Sequence, residues 1–169
     1  THVIYYSNQM PPDGNLTNNY VTTPGTNGQK PGINGQKLQD ISERARSRGV
    51  KVLLGVGGAD RSDNIGTVAG NAGLRKNFDS SAATFCSFNE IDGIDIDWES
   101  PWSPPEGSQG NLAALIKEMS AAFKDKGLIV TISANGAVPG VYGSEAMNAA
   151  DNVLIMSYDN GNPTYEQAV

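Results

Sequence analysis

Asp92-Gly93-Ile94-Asp95-Ile96-Asp97-Trp98-Glu99 is a short apolar strand pattern that carries an acid at every second position from Asp95 onward. Side chains alternate across a strand, so Asp95, Asp97 and Glu99 share one face while Ile94, Ile96 and Trp98 share the other. An edge strand with a solvated acidic face would produce the same alternation. Against that stand the mid-chain position, the bulky apolar partner face and the Ser100-Pro101 break immediately after Glu99. Unpaired carboxylates in a buried strand are costly, and the C-terminal ends of such strands are where barrels and open parallel sheets place their chemistry.

Outward from this strand, helix-like and strand-like segments alternate. Val3-Ile4-Tyr5-Tyr6 is β-rich, and the long run to Gly35 is crowded with Pro, Gly, Asn and Thr. A helix is predicted from Gly35 to Arg48, with Leu38, Ile41 and Ala45 on one face and Gly49 as its stop. Lys51–Val56 is a continuous apolar run of the kind buried on both faces in a parallel sheet. A polar loop then leads to a helix over Gly73–Phe88, with Leu74, Phe78, Ala82 and Phe85 at helical spacing. After the acidic strand and the Pro101–Pro105 turn, a helix from Ser108 carries Leu112, Leu115, Ile116, Met119, Ala122 and Phe123, and ends at Gly127. Leu128–Ile132 reads as a strand, Gly136–Gly143 as a loop, Ser144–Ala150 as a short helix and Asn152–Tyr158 as a fifth strand. This β-α order without hairpin signals demands parallel strands joined by right-handed crossovers. Both a barrel and a doubly wound sheet satisfy it.

Composition narrows the chemistry. A net charge of −6 and a pI near 4.6 argue against nucleic acid or an anionic membrane as partner, since both require a basic patch. Neither a membrane-length apolar run nor a signal-peptide pattern is present. Cys86 is the sole cysteine and His2 the sole histidine, which removes zinc clusters and Cys-His arrangements and leaves catalysis to carboxylates. No phosphate-cradling glycine motif follows a strand, so a nucleotide cofactor has no support. Hard oxygen ligation of calcium by Asp95, Asp97 and Glu99 is a rival, but calcium loops place their acids on turns rather than in strands.

The pattern Asp92-x-x-Asp95-x-Asp97-x-Glu99 resembles the signature of glycoside hydrolase family 18, the chitinases and their relatives, at all four acidic positions. Thr1–Tyr5 is similar to that family's second strand, Lys51–Gly58 to its third, the acidic stretch to its fourth and Met156-Ser157-Tyr158-Asp159 to its sixth-strand motif. The resemblance therefore implies residues 1–169 as a partial catalytic domain, an incomplete TIM (β/α) barrel of about five parallel strands, family strands two to six. A complete barrel takes about 250 residues. Gly55 stands where the family usually has Ser, which removes a hydroxyl expected to bond the inner aspartates.

What the resemblance implies for function is hydrolysis of β-1,4-linked N-acetylglucosamine polymers, with chitin or its oligosaccharides as partner, no cofactor, no metal and a secreted, extracellular location. Neighbouring acids on one strand cannot easily flank a sugar from opposite faces, and this family is among the substrate-assisted exceptions to two-carboxylate glycosidase chemistry. Glu99 is then the general acid and base, and Asp97 and Tyr158 hold the substrate's own 2-acetamido group. Asp95 is expected to share a proton with Asp97. Asp159 and Met156 are taken to define the sugar site, while Trp102, Tyr6 and Tyr142 are aromatics able to stack on sugar rings. Trp98, facing away from the acids, is expected to pack against helices. A carbohydrate-binding relative with dead chemistry and an endo-β-N-acetylglucosaminidase acting on N-glycans are the alternatives. Five strands cannot close a barrel, so the isolated chain is expected to self-associate through its open sheet edges.

Overall fold

The computed structural model describes residues 2–17, 35–99 and 103–158. Its elements run β1 (His2–Asn8), α1 (Gly35–Arg46), β2 (Lys51–Gly57), α2 (Ile65–Ala69), α3 (Ala72–Asn89), β3 (Gly93–Asp97), α4 (Gln109–Lys124), β4 (Ile129–Asn135), a 3-10 turn (Pro139–Tyr142), α5 (Ser144–Ala149) and β5 (Asn152–Met156). The strands form one sheet in sequence order, every neighbouring pair parallel. Among the described residues β1 and β5 are its edges, so the sheet is an arc of a barrel and not a closed one.

Alternation decides the layers. Val52, Leu54 and Val56 of β2, Ile94 and Ile96 of β3, and Val130, Ile132 and Ala134 of β4 belong to one apolar core with Leu38, Phe78, Phe85, Leu112, Ile116 and Phe123 of the helices. Removing these chains from water is the main drive that presses the helices onto the outer face. The opposite face is polar at its centre, with Asp95 and Asp97 beside Thr131 and Ser133. Trp98 joins the outer core at 2% exposure, as expected. Its ring lies 3.2 Å from where a Cβ on Gly66 would sit, so α2 comes close only because residue 66 lacks a side chain.

Helix α2 departs from the sequence reading, in which residues 59 to 72 form a polar loop. Ile65, Val68 and Ala69 are fully buried, and their i, i+3, i+4 spacing gives this single turn and a half an apolar stripe. The strand ends also move. β4 extends through Asn135, whereas β5 stops at Met156, leaving Ser157 and Tyr158 beyond it. The expected loop after β4 contains the 3-10 turn. Asp92, the first acid of the motif, lies at the far end of β3 from the others, where its carboxylate accepts from Lys51 Nζ (2.7 Å) and the Val52 N–H (2.9 Å). Asp151 repeats the device two pairings further on, accepting the Val130 N–H at 2.7 Å. Both are strand-register residues.

One acid outside the sheet carries a cost. Asp79 of α3 is buried at 7% exposure with Oδ1 unpartnered, beside the bidentate pair in which Arg75 donates to Glu118 at 2.9 and 2.8 Å. Burial, then repulsion by Glu118, pushes Asp79 up to about 7, opposed by Arg75. An aspartate in the unfolded chain ionises near about 4, so the native state loses stability as pH rises from there through about 7. Asp79→Asn is therefore expected to stabilise the fold at pH 8 by on the order of 1–2 kcal/mol, with the gain vanishing near pH 4. Urea unfolding at the two pH values measures it, and an equal effect at both would contradict the assignment.

Candidate active site

The acid-bearing face rises toward the C-terminal end of β3. Asp95 is fully buried, and its register partner across the parallel ladder is Thr131. Thr131 Oγ1 donates to Asp95 Oδ1 at 2.5 Å and Ser133 Oγ to Oδ2 at 2.8 Å. Burial raises the Asp95 carboxyl above the usual carboxylate range, and these two hydroxyls pull against it.

Asp97, one step higher, is 1% exposed. Its Oδ2 accepts from the Tyr6 hydroxyl at 2.7 Å, while Oδ1 has no hydrogen-bond partner. Burial pushes its carboxyl up to about 7, the Tyr6 hydrogen bond opposes that, and the charges of Glu99 and Asp95 add to it. Asp95 and Asp97, expected to share a proton, are both raised above the usual carboxylate range and take their hydrogen bonds from separate hydroxyls. Asp95 is bonded at both oxygens from β4, its ladder neighbour, and Asp97 at one oxygen only, by a tyrosine of β1 that reaches across β2.

Glu99 lies two residues beyond β3 and is 9% exposed. Its backbone is fixed by a small knot. The Glu99 N–H donates to Ser62 Oγ at 2.9 Å, Ser62 Oγ lies 2.8 Å from the Gly58 carbonyl and 3.1 Å from that of Asp97, and the Gly58 N–H donates to the Asp97 carbonyl at 2.7 Å. Gly57, at φ 115°, permits this approach, since a Cβ there would fall 2.0 Å from the Asp97 carbonyl oxygen. Glu99 opens into a cleft of about 320 Å³ lined also by Tyr6, Ser7, Gly58 and Arg61.

The remaining predicted residues fall in different places. Tyr6 is at the cleft, but its hydroxyl is engaged by Asp97. Burial, followed by that bond, holds its phenol protonated well beyond the ordinary tyrosine range. Met156 at the end of β5 pairs with Asn135, which places it on the acid-bearing face at 9% exposure. Tyr158 follows β5 and is 76% exposed, near enough for its charge to act on Tyr6. Trp102 and Asp159 lie outside the described residues. Tyr142 is a correction. It is fully buried, its oxygen accepts the Asn135 N–H at 2.9 Å, and burial pushes its phenol up to about 12, so it is core and offers no ring to a sugar.

Sequence reasoning missed Ser62, Thr131 and Ser133. The last two carried a legible signal, since Val130-Thr131-Ile132-Ser133-Ala134 alternates apolar and polar in phase with β3. Ser62 carried none, because its partners are backbone groups, two of them 35 and 37 residues away. Among the described residues no three His, Cys, Asp or Glu side chains converge to hold a metal ion.

The sequence profile of glycosyl hydrolases family 18 matches residues 1–168. A probable endochitinase of Caenorhabditis elegans is 36% identical over 126 residues, 65% of this chain and 19% of that protein. The endochitinase of Brugia malayi is 33% identical over 128 residues, covering 69% of this chain and 25% of that one. Among solved structures, a chitinase from Rhizomucor miehei superposes with a TM-score of 0.74 at 23% identity, over 94% of this chain and 51% of the other. A mutant of catalytic domain 2 of the Ostrinia furnacalis Group II chitinase, in complex with penta-N-acetylchitooctaose, gives 0.74 at 24% identity over 94% and 43%. The chain thus spans about a fifth to a quarter of those two relatives and about half of the solved structures. With the profile matched over almost its whole length, the chain belongs to glycosyl hydrolases family 18.

Proposed function

We propose that the protein bearing this chain hydrolyses β-1,4-linked N-acetylglucosamine polymers, chitin or its oligosaccharides, with retention and with the substrate's own acetamido group as nucleophile. The observation that carries the reading is the pairing of Asp97 with Glu99: one Asp97 oxygen is tied to Tyr6, the other is unpartnered, and Glu99 stands beside it at the cleft. A buried, partly protonated carboxyl with an unused oxygen suits an amide N–H better than an anomeric carbon. The relatives' names point to the same polymer.

In this mechanism Glu99 gives its proton to the glycosidic oxygen as the C1–O bond breaks. The acetamido carbonyl oxygen closes on C1, forming an oxazolinium ring, and Asp97 accepts the acetamido N–H and stabilises the charge that develops there. Glu99, now a carboxylate, takes a proton from water as that water opens the ring at C1, which restores the acid. Asp95, held from β4, raises the Asp97 carboxyl by its charge, and Tyr158 would hold the acetamido carbonyl. Asp159, Met156 and Trp102 complete the proposed sugar site.

The retained Glu99 disfavours a purely carbohydrate-binding role. Extracellular action follows from an insoluble polymer substrate, and among the described residues no helix is long and apolar enough to cross a membrane. Neither nucleic acid nor membrane is a proposed partner of so acidic a chain. With β1 and β5 each paired on one side among the described residues, the 169-residue polypeptide alone is expected to self-associate. Sedimentation velocity across a concentration series would show it as a rising sedimentation coefficient, and a monomer throughout would refute it.

In the full-length protein, Glu99→Gln should lower turnover of N-acetylglucosamine oligomers about 10²-fold or more, the usual loss when an acid–base group is removed. Chromatography of oligomer products over time measures this. Turnover within a few-fold of wild type would sink the assignment, and cleavage of N-glycan cores with no action on chitin oligomers would move the substrate to the alternative class.

A further inference from the structure

We propose that Tyr6 is a positioning residue for Asp97, its phenol supplying from β1 the side-chain hydroxyl that Gly55 of β2 cannot. The inference rests on the role given to Asp97 above and assigns to Tyr6 a task other than stacking on sugar.

The slot that holds the ring is made of two glycines. A Cβ on Gly55 would lie 3.2 Å from Tyr6 Cδ2 and 3.2 Å from Ile4 Cγ2, so the ring occupies the space a side chain at 55 would fill. Gly55 pairs in register with Asp95, which puts that space on the acid-bearing face. At the other end of the ring, a Cβ on Gly58 would lie 1.9 Å from the Tyr6 oxygen and 2.8 Å from Cζ. Gly58 has φ 104°, a conformation that already favours glycine. From Cδ2 to the hydroxyl, then, the ring lies where backbone alone can be tolerated.

Core filling does not account for this placement, because Tyr6 is 58% exposed. The β1–β2 register breaks between Tyr5 and Asn8, the segment that delivers Tyr6. At the end of the slot the hydroxyl donates to Asp97 Oδ2 at 2.7 Å. A carboxylate held by one oxygen has a fixed rotamer, and its second oxygen, Oδ1, is the one without a partner. Tyr6 therefore selects which Asp97 oxygen meets the substrate. The groups that bear on Asp97 are Asp95 and Glu99 from its own strand and Tyr6 from β1, with Tyr142 from the turn after β4 influenced in return, and Tyr158 after β5 acts on Tyr6.

The test is Tyr6→Phe in the full-length protein, which keeps the ring in its slot and deletes only the donor. The Asp97 carboxyl is followed by ¹³C NMR titration, assigned with Asp97→Asn, and kcat and KM are measured across pH on N-acetylglucosamine oligomers. Loss of a hydrogen bond to the charged form should move the Asp97 titration up by about one pH unit. kcat should fall about tenfold with KM changed by less than about twofold, since the acetamido group needs orienting chiefly as it attacks. An Asp97 titration unmoved by Tyr6→Phe overturns the proposal, whatever happens to kcat. If the wild-type protein turns over no such oligomer, the proposed function fails, and the titration still decides the role of Tyr6. Gly55→Ala, which crowds the ring at Cδ2 and leaves every hydroxyl in place, gives the same readout should Tyr6→Phe not fold. An upward shift there supports the slot, and where Tyr6→Phe does not fold, an Asp97 unmoved by Gly55→Ala ends it.

Discussion

Keeping Asp95 and Asp97 ionisable inside a parallel sheet is the constraint around which the neighbouring strands are written. A carboxylate taken out of water costs several kcal/mol unless donors replace the solvent. Asp95 gets two donors because parallel register sets Thr131 level with it and the pleat returns Ser133 to the same face. Asp97 gets one, from a different strand. This asymmetry separates their roles better than any difference in burial. The lower acid has both oxygens occupied and becomes scaffold, while the upper acid retains an oxygen for chemistry.

The outer face supplies what the inner one costs. Ile94, Ile96 and Trp98 alternate with the acids and anchor the same strand in the apolar core, so that β3 cannot shift by one residue without turning three acids into the helices. Asp92 guards that register from the opposite end by accepting the Val52 N–H of β2, and Asp151 does the same for β5 against β4. The strand that carries the chemistry is thus fixed at its base by charged hydrogen bonds, along its length by packing, and at its top by the Ser62 knot.

This division also explains what could be read from the sequence. Alternation and helical periodicity are local, and they carried the five strands, the helix faces, the outward Trp98 and the acid-bearing face. Tyr6, Ser62 and Tyr142 are governed by what approaches from elsewhere. Tyr142 sits in a Gly- and Pro-rich stretch that looks like loop, yet it is buried because the turn folds back beneath Asn135. Ser62 acts through backbone partners that have no sequence character. For Tyr6 the decisive information lies in two glycines, one in β2 and one just past its end, where the missing atoms are the signal. Helix α2 was within reach, since Ile65, Val68 and Ala69 have helical spacing, but five residues are too few for periodicity to stand out.

Desolvation also couples the site to the enclosure of the sheet. The leading cause of the raised Asp97 carboxyl is burial, ahead of its hydrogen bond and its acidic neighbours. Any further structure covering the acid face removes more water and pushes that carboxyl higher, whereas leaving the face open to solvent lets it fall. Tyr6 works in the other direction by stabilising the charged form. The protonation state of Asp97 is accordingly set by a balance between a long-range property, how completely the inner face is covered, and a single hydroxyl delivered by an edge strand. A fold that alters the first can be corrected through the second, which is reason enough for a tyrosine whose ring is largely exposed to lie in a slot built from two glycines.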